Sequence, residues 1–309
     1  MLQTLRDVAS ILRVHIIAIA VAAAVVFGSL LTGRHGLDVA LIGGLDWLLI
    51  NLLNRVTDLK EDLLNGIRGT ERIARRPRLA LGLWLAVFAG SFALSHALHP
   101  ELTPWRALVQ LVGVGYSYRI VPTPRGLRRF KDLYFFKNFM SAMLFVATVF
   151  AYPIVAADGL HATSGLAPTP LTVGALVIFF VAFEITYEIL YDMRDLEGDR
   201  AASVPTYPVV HGLDGAAAII NGLLFGASAV LVSAFALGLV GVRELLMVAA
   251  PAIQYAFYRK RYVEGRLTTA ACIGVTWLGA GLLLFWLLGT WLWAEAGLPA
   301  NVFVGPLAT

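Results

Sequence analysis

The chain has 309 residues, of which 59% are hydrophobic and only 14% charged, with a formal net charge of +4. Soluble domains carry about 25% charged residues, so this composition excludes a soluble globular enzyme, a disordered chain and a nucleic-acid-binding module. The solvent is lipid, where an excess of Lys and Arg marks cytoplasmic loops rather than an anionic partner, and the lone Cys272 excludes a disulfide framework or thiolate metal site.

Apolar stretches long enough to span a bilayer, about 17 to 25 residues, are predicted at 9–31, 37–54, 79–98, 104–121, 138–157, 170–191, 214–238, 242–258 and 268–293. The first has only Arg6 ahead of it and continues past its alanines, which reads as a retained helix rather than a cleaved signal. Of the 24 Lys and Arg, 21 fall at the N-terminal end or in the even-numbered loops and at their edges. The positive-inside rule then predicts a cytoplasmic N-terminus, an external C-terminus and an odd number of spans. This is an integral protein, predicted for the inner (plasma) membrane, with residues 1–309 as one all-α polytopic domain. Trp105, Trp291 and Trp293 fall at predicted outer ends, as interfacial anchors would.

The cytoplasmic ends of the second and sixth spans carry a weak internal repeat. Residues 53–62 align with residues 190–199, pairing Asp58 with Asp195 and Asp62 with Asp199. Read as continuous helices, Asn51, Asn54, Asp58 and Asp62 share one face, and Glu184, Glu188, Asp192, Asp195 and Asp199 share another, each within an arc of about 80°. Like charges stacked on one face repel. Hard divalent cations relieve that repulsion, and Mg2+ in particular is held by a few carboxylates together with substrate phosphates. On the same membrane side the fourth loop offers Arg125, Arg128, Arg129, Lys131 and Lys137, with Tyr116 and Tyr118 just before it and Arg200 beside the second acid block. Acids and cations together suit a diphosphate, bound through Mg2+ on one side and through Arg or Lys on the other. In a lipid-embedded bundle, that points to an isoprenyl diphosphate with the active site at the cytoplasmic face.

The run Asp192-Met193-Arg194-Asp195-Leu196-Glu197-Gly198-Asp199-Arg200, followed by Thr206-Tyr207-Pro208-Val209 and Gly212, resembles the second acidic motif of the UbiA-type intramembrane prenyltransferases, D-x-x-D-x-E-G-D-R with a downstream T-x-P-V. Asn54 to Asp62 resembles their first motif, N-D-x-x-D-x-x-x-D, and Tyr116 to Asn138 resembles the basic loop between them. The resemblance implies nine helices bundled around a central lipid-accessible cavity. It implies that Asp58, Asp62, Asp195 and Asp199 hold Mg2+ on the diphosphate, with Asn54 in support. An allylic donor and usually an aromatic acceptor are implied too, with Phe179, Phe183 and Tyr187 as aromatics able to face a developing cation.

The chain departs from the family pattern at three places. Arg55 replaces the leading Asp of the first motif, either supplying charge to the diphosphate or pairing with Asp58 or Asp62, or else facing the loop. Tyr191 stands where Asn is frequent, and the R-P element survives only as Arg76-Pro77. These departures leave open a UbiA-fold terpene cyclase that uses no acceptor. An ion-coupled transporter is disfavoured because the acids sit at one membrane face rather than the midplane.

Two further acids lie within spans. Glu184 is about 12 Å from Asp192 along the acidic face, a depth suited to contacting an acceptor's hydroxyl or taking its proton. Asp46 is off the face of Asn54 and reads as structural. The histidines, including His96 and His99, read as lacking ligand-type partners.

Overall fold

The computed structural model describes residues 2–124, 126–163 and 165–304. A short helix, α1 (Leu2–Ile11), precedes α2 (Val14–Thr32), and Arg13 between them adopts the left-handed conformation at φ 47°. The span expected over 9–31 is therefore broken at Arg13, which marks its start. Next come α3 (Leu37–Thr57), α4 (Leu59–Leu64), α5 (Thr70–Arg75), α6 (Pro77–Leu98) and α7 (Thr103–Ser117). The fourth loop is not wholly irregular: β1 (Val121–Thr123) and β2 (Gly126–Arg128) pair antiparallel, with Val121 opposite Arg128.

The chain re-enters the bundle as α8 (Phe136–Val146), widens into a π turn over Ala147–Ala151 and continues as α9 (Tyr152–Ala156). Pro153 explains the wider turn, because it lacks an N–H and its ring crowds the carbonyl four residues back. The same proline lies so close to α2 that a Cβ at Gly28 would come within 3.0 Å of its ring. α10 (Pro170–Arg194) starts where the Thr169 hydroxyl accepts the Thr172 N–H at 3.2 Å. α11 (Leu196–Ala201) follows, then α12 (Tyr207–Ala236), interrupted at Gly212 with φ 71°. α13 (Val242–Leu245), α14 (Ala249–Val263) and α15 (Thr269–Glu295) complete the described helices.

Among the described residues, 7 helices are long and apolar enough to cross a membrane: α2, α3, α6, α8 with α9, α10, α12 and α15. The other two expected spans differ from the expectation. The stretch 104–121 is helical only to Ser117, and 242–258 is divided into α13, a 3-10 turn over Leu246–Val248 and α14. α7 and α14 have 15 residues each, or about 22 Å against a hydrocarbon core of about 30 Å. α7 also carries Arg106 and Gln110, and α14 ends in Arg259-Lys260-Arg261, which lowers the hydropathy of both.

The main apolar core lies between α2, α3, α8 and α10. Phe27 packs against both Phe150 and Phe180, and Trp47 stacks on Phe145 with ring centroids 3.8 Å apart. The Trp47 indole N–H donates to Thr148 at 3.0 Å. Outward-facing leucines and phenylalanines such as Leu83, Phe225 and Phe285 remain exposed, as expected where lipid replaces water.

One buried polar knot crosses this core. Asp46 and Arg106 are both fully buried, paired at 2.7 Å, and Asp46 also accepts from Gln110 at 2.9 Å and the Tyr152 hydroxyl at 2.8 Å. Arg106 also donates to the Ser91 carbonyl at 2.8 Å and the Ser95 hydroxyl at 2.5 Å. Removing one partner of a buried pair leaves an uncompensated charge, so Asp46→Ala or Arg106→Ala is expected to cost about 3–5 kcal/mol. Thermal unfolding in detergent checks this; an unchanged midpoint in both variants refutes it.

At the end of the bundle away from the acids, His99 has partners that were not expected. Its Nε2 lies 2.8 Å from Asp38 and its Nδ1 2.9 Å from Glu101. Burial by itself lowers the imidazole pKa, but hydrogen bonds to the two carboxylates outweigh it and hold the ring above its ordinary value. A pKa raised on folding contributes stability that is complete below the unfolded value, about 6.5, and is lost as pH rises through the higher folded value. The melting midpoint is therefore expected to fall on going from acid to mildly alkaline pH, and to fall less in His99→Gln.

Candidate active site

Both acidic blocks break at equivalent residues. α3 gives way to α4 at Asp58 (φ −101°, ψ 22°), and α10 gives way to α11 at Asp195 (φ −93°, ψ 10°). The continuous-helix premise used for the acid faces therefore fails at exactly one aspartate in each half. The breaks turn α4 and α11 towards each other. Asn65, just past α4, accepts the Gly198 N–H at 3.1 Å, and a Cβ at position 198 would lie 2.4 Å from the Asn65 side chain. Glycine in the second motif is thus required by close approach of the two halves.

Between them lies a polar cavity of about 110 Å³. Its wall includes Asn54, Asp58, Glu61 and Asp62 from the first block and Asp192, Asp195 and Asp199 from the second, with Tyr116, Lys131, Lys137 and Glu184. Each acid of the two blocks just named meets a cation. Lys131 lies 2.5 Å from Asp58 and 2.7 Å from Glu61; Lys137 lies 2.6 Å from Asp192 and 3.3 Å from Asp199; Arg194 pairs with Asp195. Arg55 is buried behind the wall and donates to Asp62 at 2.6 Å, so it takes the pairing role rather than facing the loop. Burial pushes the Asp58 carboxyl above the usual carboxylate range, with Lys131 opposing. Burial likewise pushes Asp199 up to about 6, against the pull of Lys137 and with a further push from Asp192.

Other cations of the fourth loop and second motif stand elsewhere. Arg129 lies behind Asp58, bound to Asp132 at 2.8 Å and 3.6 Å from Asp58. Arg128 sits on β2 outside the cavity wall, and Arg200 is exposed beside Glu197 at 3.3 Å. Arg125 lies outside the described residues.

Arg13, His15 and Arg194 are among the wall residues that the sequence did not single out as part of the site. Arg13 and Arg194 counted only towards topology, yet both line the cavity. His15, read as chemically idle, also lines it and stacks over Tyr191, with ring centroids 6.2 Å apart. Arg194 lies inside the second motif, a signal that was available; Arg13 and His15 have no motif, and only the break before α2 brings them here.

The donor set suits a hard cation. Carboxylate and amide oxygens dominate one wall, and the Asn54 Oδ1 is buried without a hydrogen-bond donor, an orphan acceptor that a cation would satisfy. Among the described residues, no three acids converge on a ready-made metal cluster, and the carboxylates of the two acidic blocks are turned towards lysines or arginines. A polyanion that drew those cations onto itself would free the carboxylates.

The polar cavity adjoins a larger apolar one of about 400 Å³, and the two share Ile19, Phe145, Glu184 and Tyr187. Phe27, Phe179, Phe183 and Trp286 are among the apolar walls. The site therefore has a charged compartment and a greasy one joined at α10.

Comparison with known proteins identifies the fold and the family. A UbiA homolog from Archaeoglobus fulgidus bound to DMAPP and Mg2+ matches with a TM-score of 0.66 at 17% identity, covering 91% of this chain and 97% of its own. A UbiA homolog from that organism bound to GPP and Mg2+ matches at 0.65 and 16%, covering 92% and 98%. The apo structure of a UbiA homolog from Aeropyrum pernix K1 matches at 0.60 and 17%, covering 90% and 98%. At these identities the likeness shows a shared fold. A sequence comparison with curated proteins finds no match. The sequence profile of the UbiA prenyltransferase family matches residues 14–272, most of the chain and both acidic blocks, and the chain therefore belongs to the UbiA prenyltransferase family.

Proposed function

We propose that this protein transfers an isoprenyl group from an allylic prenyl diphosphate to an aromatic or other lipophilic acceptor within the membrane. The observation that carries this reading is the pair of joined cavities: one has opposed acids and cations for a charged head, the other has aromatic walls for an apolar tail. The family profile and the relatives that bind DMAPP or GPP with Mg2+ support it. We also propose one domain over residues 1–309 with nine crossings, α7 and α14 being the two short ones. The N-terminus would be cytoplasmic, the C-terminus external and the acids at the cytoplasmic face, as the distribution of basic residues favours.

In this reading Asp58, Asp62, Asp195 and Asp199 hold Mg2+, with the Asn54 carbonyl oxygen in support. Bound there, the metal supplies Lewis acidity and a template for the departing diphosphate. Lys131, Lys137 and Arg13 bind diphosphate oxygens, the lysines exchanging their present carboxylate partners for the substrate. Arg55 stays with Asp62 and sets the charge balance of the first block. The faces of Phe179, Phe183 and Tyr187 stabilise the allylic cation as the diphosphate leaves, and the apolar walls keep water from it.

Mass spectrometry of products tests the reading, using purified protein given prenyl diphosphates of several lengths with and without lipid extract. A prenylated acceptor with diphosphate release is expected. Cyclised hydrocarbon formed equally well without extract would make the protein a cyclase, and no diphosphate release at all would remove the enzyme reading.

In this reading the loop cations are not equivalent. Lys131→Met is expected to weaken donor binding by about 1.5–3 kcal/mol, the range for a hydrogen bond to a charged group. Arg200→Ala should leave it unchanged, since its side chain is exposed and paired outside the cavity. Calorimetric titration with GPP measures both; equal effects would mean that burial in the wall does not decide which cation binds donor.

A further inference from the structure

Glu184 is a buried carboxyl with no partner. It is 7% exposed in the middle of α10, and neither of its oxygens bonds to any described residue. Glu188, one turn further on, accepts the Ser141 hydroxyl at 2.7 Å. A buried polar group is ordinarily satisfied within the fold, so an unsatisfied one that faces a cavity is a place for a ligand donor. Among the described residues Glu184 is the one acid in the apolar wall, and it also belongs to the polar wall.

Its location can be stated in terms of the substrate. A prenyl diphosphate carries its charge at one end and its hydrocarbon at the other, and the bond that breaks lies at the boundary. Head in the polar cavity and tail in the apolar one place that bond at the shared boundary, formed by Ile19, Phe145, Glu184 and Tyr187. Of these four, Glu184 carries the group able to take a proton.

We propose that Glu184 receives the acceptor's proton and that the acceptor is a lipophilic alcohol or phenol bearing no carboxylate of its own. The proposal rests on the donor reading above and adds the acceptor class. In the step, the C1–O bond of the donor breaks with its electron pair going to the diphosphate. A lone pair of the acceptor oxygen forms the new C1–O bond, and the hydroxyl proton passes to the Glu184 carboxylate. An un-ionised hydroxyl supplies the hydrogen bond that Glu184 lacks. An acceptor with its own carboxylate would meet two acids, Glu184 and Glu188, neither of which is paired with a cation among the described residues. Arg243, the other charged residue of the apolar wall, is engaged within the fold, although its Nε is buried without a hydrogen-bond partner. It donates to the Ala300 carbonyl at 2.8 Å and lies between Glu244 and the Trp286 ring.

The test uses the full-length protein in lipid nanodiscs, with GPP as donor and 4-butylphenol or 4-hydroxybenzoate as acceptor, following ether product and diphosphate separately. The wild type is expected to prenylate 4-butylphenol in preference to 4-hydroxybenzoate. Glu184→Gln, nearly isosteric, should lose ether formation by about 100-fold or more, the usual weight of general base catalysis. It should still bind GPP and release diphosphate through reaction with water. Unimpaired ether formation by Glu184→Gln, or a wild-type preference for 4-hydroxybenzoate, overturns the proposal, as does a wild type that releases diphosphate but prenylates no hydroxyl acceptor. A wild type that neither binds GPP nor releases diphosphate fails at the earlier step, the donor reading itself.

Discussion

Replacing Asp58, Asp62, Asp195 or Asp199 by Asn is expected to lower turnover by more than about 100-fold, the upper figure for losing a mere supporting group of a metal site. In the proposed reading the four act as one unit across the break points at Asp58 and Asp195. Each carries charge that the neighbouring lysine or arginine only partly balances while no substrate is present. Their effects should accordingly be non-additive, with Asp58→Asn plus Asp195→Asn costing little more than the worse single change. Excess chelator should have the same outcome as the mutations, and added Mg2+ should restore the wild type but not the variants. Full activity in excess chelator would remove the metal from the mechanism. Thermal unfolding run alongside separates this from loss of fold, because each Asn variant leaves its cation partner buried and destabilises by a different route.

Arg55 is the second position where a large effect is expected. In the internal repeat it is equivalent to Asp192, and the two halves solve the same charge problem differently. Asp192 and Asp199 share Lys137, at 2.6 and 3.3 Å, whereas Asp62 is served directly by Arg55 at 2.6 Å. Arg55→Ala strands Asp62 in a buried position and should cost on the order of 3–5 kcal/mol of stability, with a matching loss of donor affinity. Arg55→Asp restores the family's usual motif but sets a second carboxylate beside Asp62. We expect it to bind Mg2+ at lower concentration and donor more weakly than the wild type, because an anion replaces a cation next to the acids proposed to hold the metal. Steady-state kinetics over Mg2+ and donor concentration distinguish the two variants. Wild-type constants in both would show that Arg55 serves only the fold.

The membrane class and the two acidic blocks that line the candidate site were legible in the sequence for plain physical reasons. Long apolar runs have few alternatives to crossing a bilayer, and acids repeated at two span ends are too costly to be accidental. Asp46 was recognised as structural because it lies off the acidic face, although its partner Arg106 was not identified. A pair between α3 and α7 depends on which helices pack together, and no local spacing records that.

What only the tertiary structure decided is how the acids are served. Sequence periodicity assumes an unbroken helix, and both acidic blocks break at one of their own aspartates, which turns α4 and α11 inward and closes the cavity around Asn65 and Gly198. Counting basic residues placed Arg13, Arg194, Arg128 and Arg200 on the same side of the membrane without distinguishing them, yet the first two line the cavity and the last two do not. Hydropathy registered α7 and α14 as spans from composition, while their helical lengths of 15 residues followed from where polar side chains were buried or the chain turned. Glu184 stood in the sequence as one more acid on a face; its lack of a partner, and its place where the charged cavity meets the apolar one, depend on residues from α2, α8 and α10 meeting in space. Composition and periodicity act along one helix at a time, and an ion pair or a cavity forms only when separate helices pack.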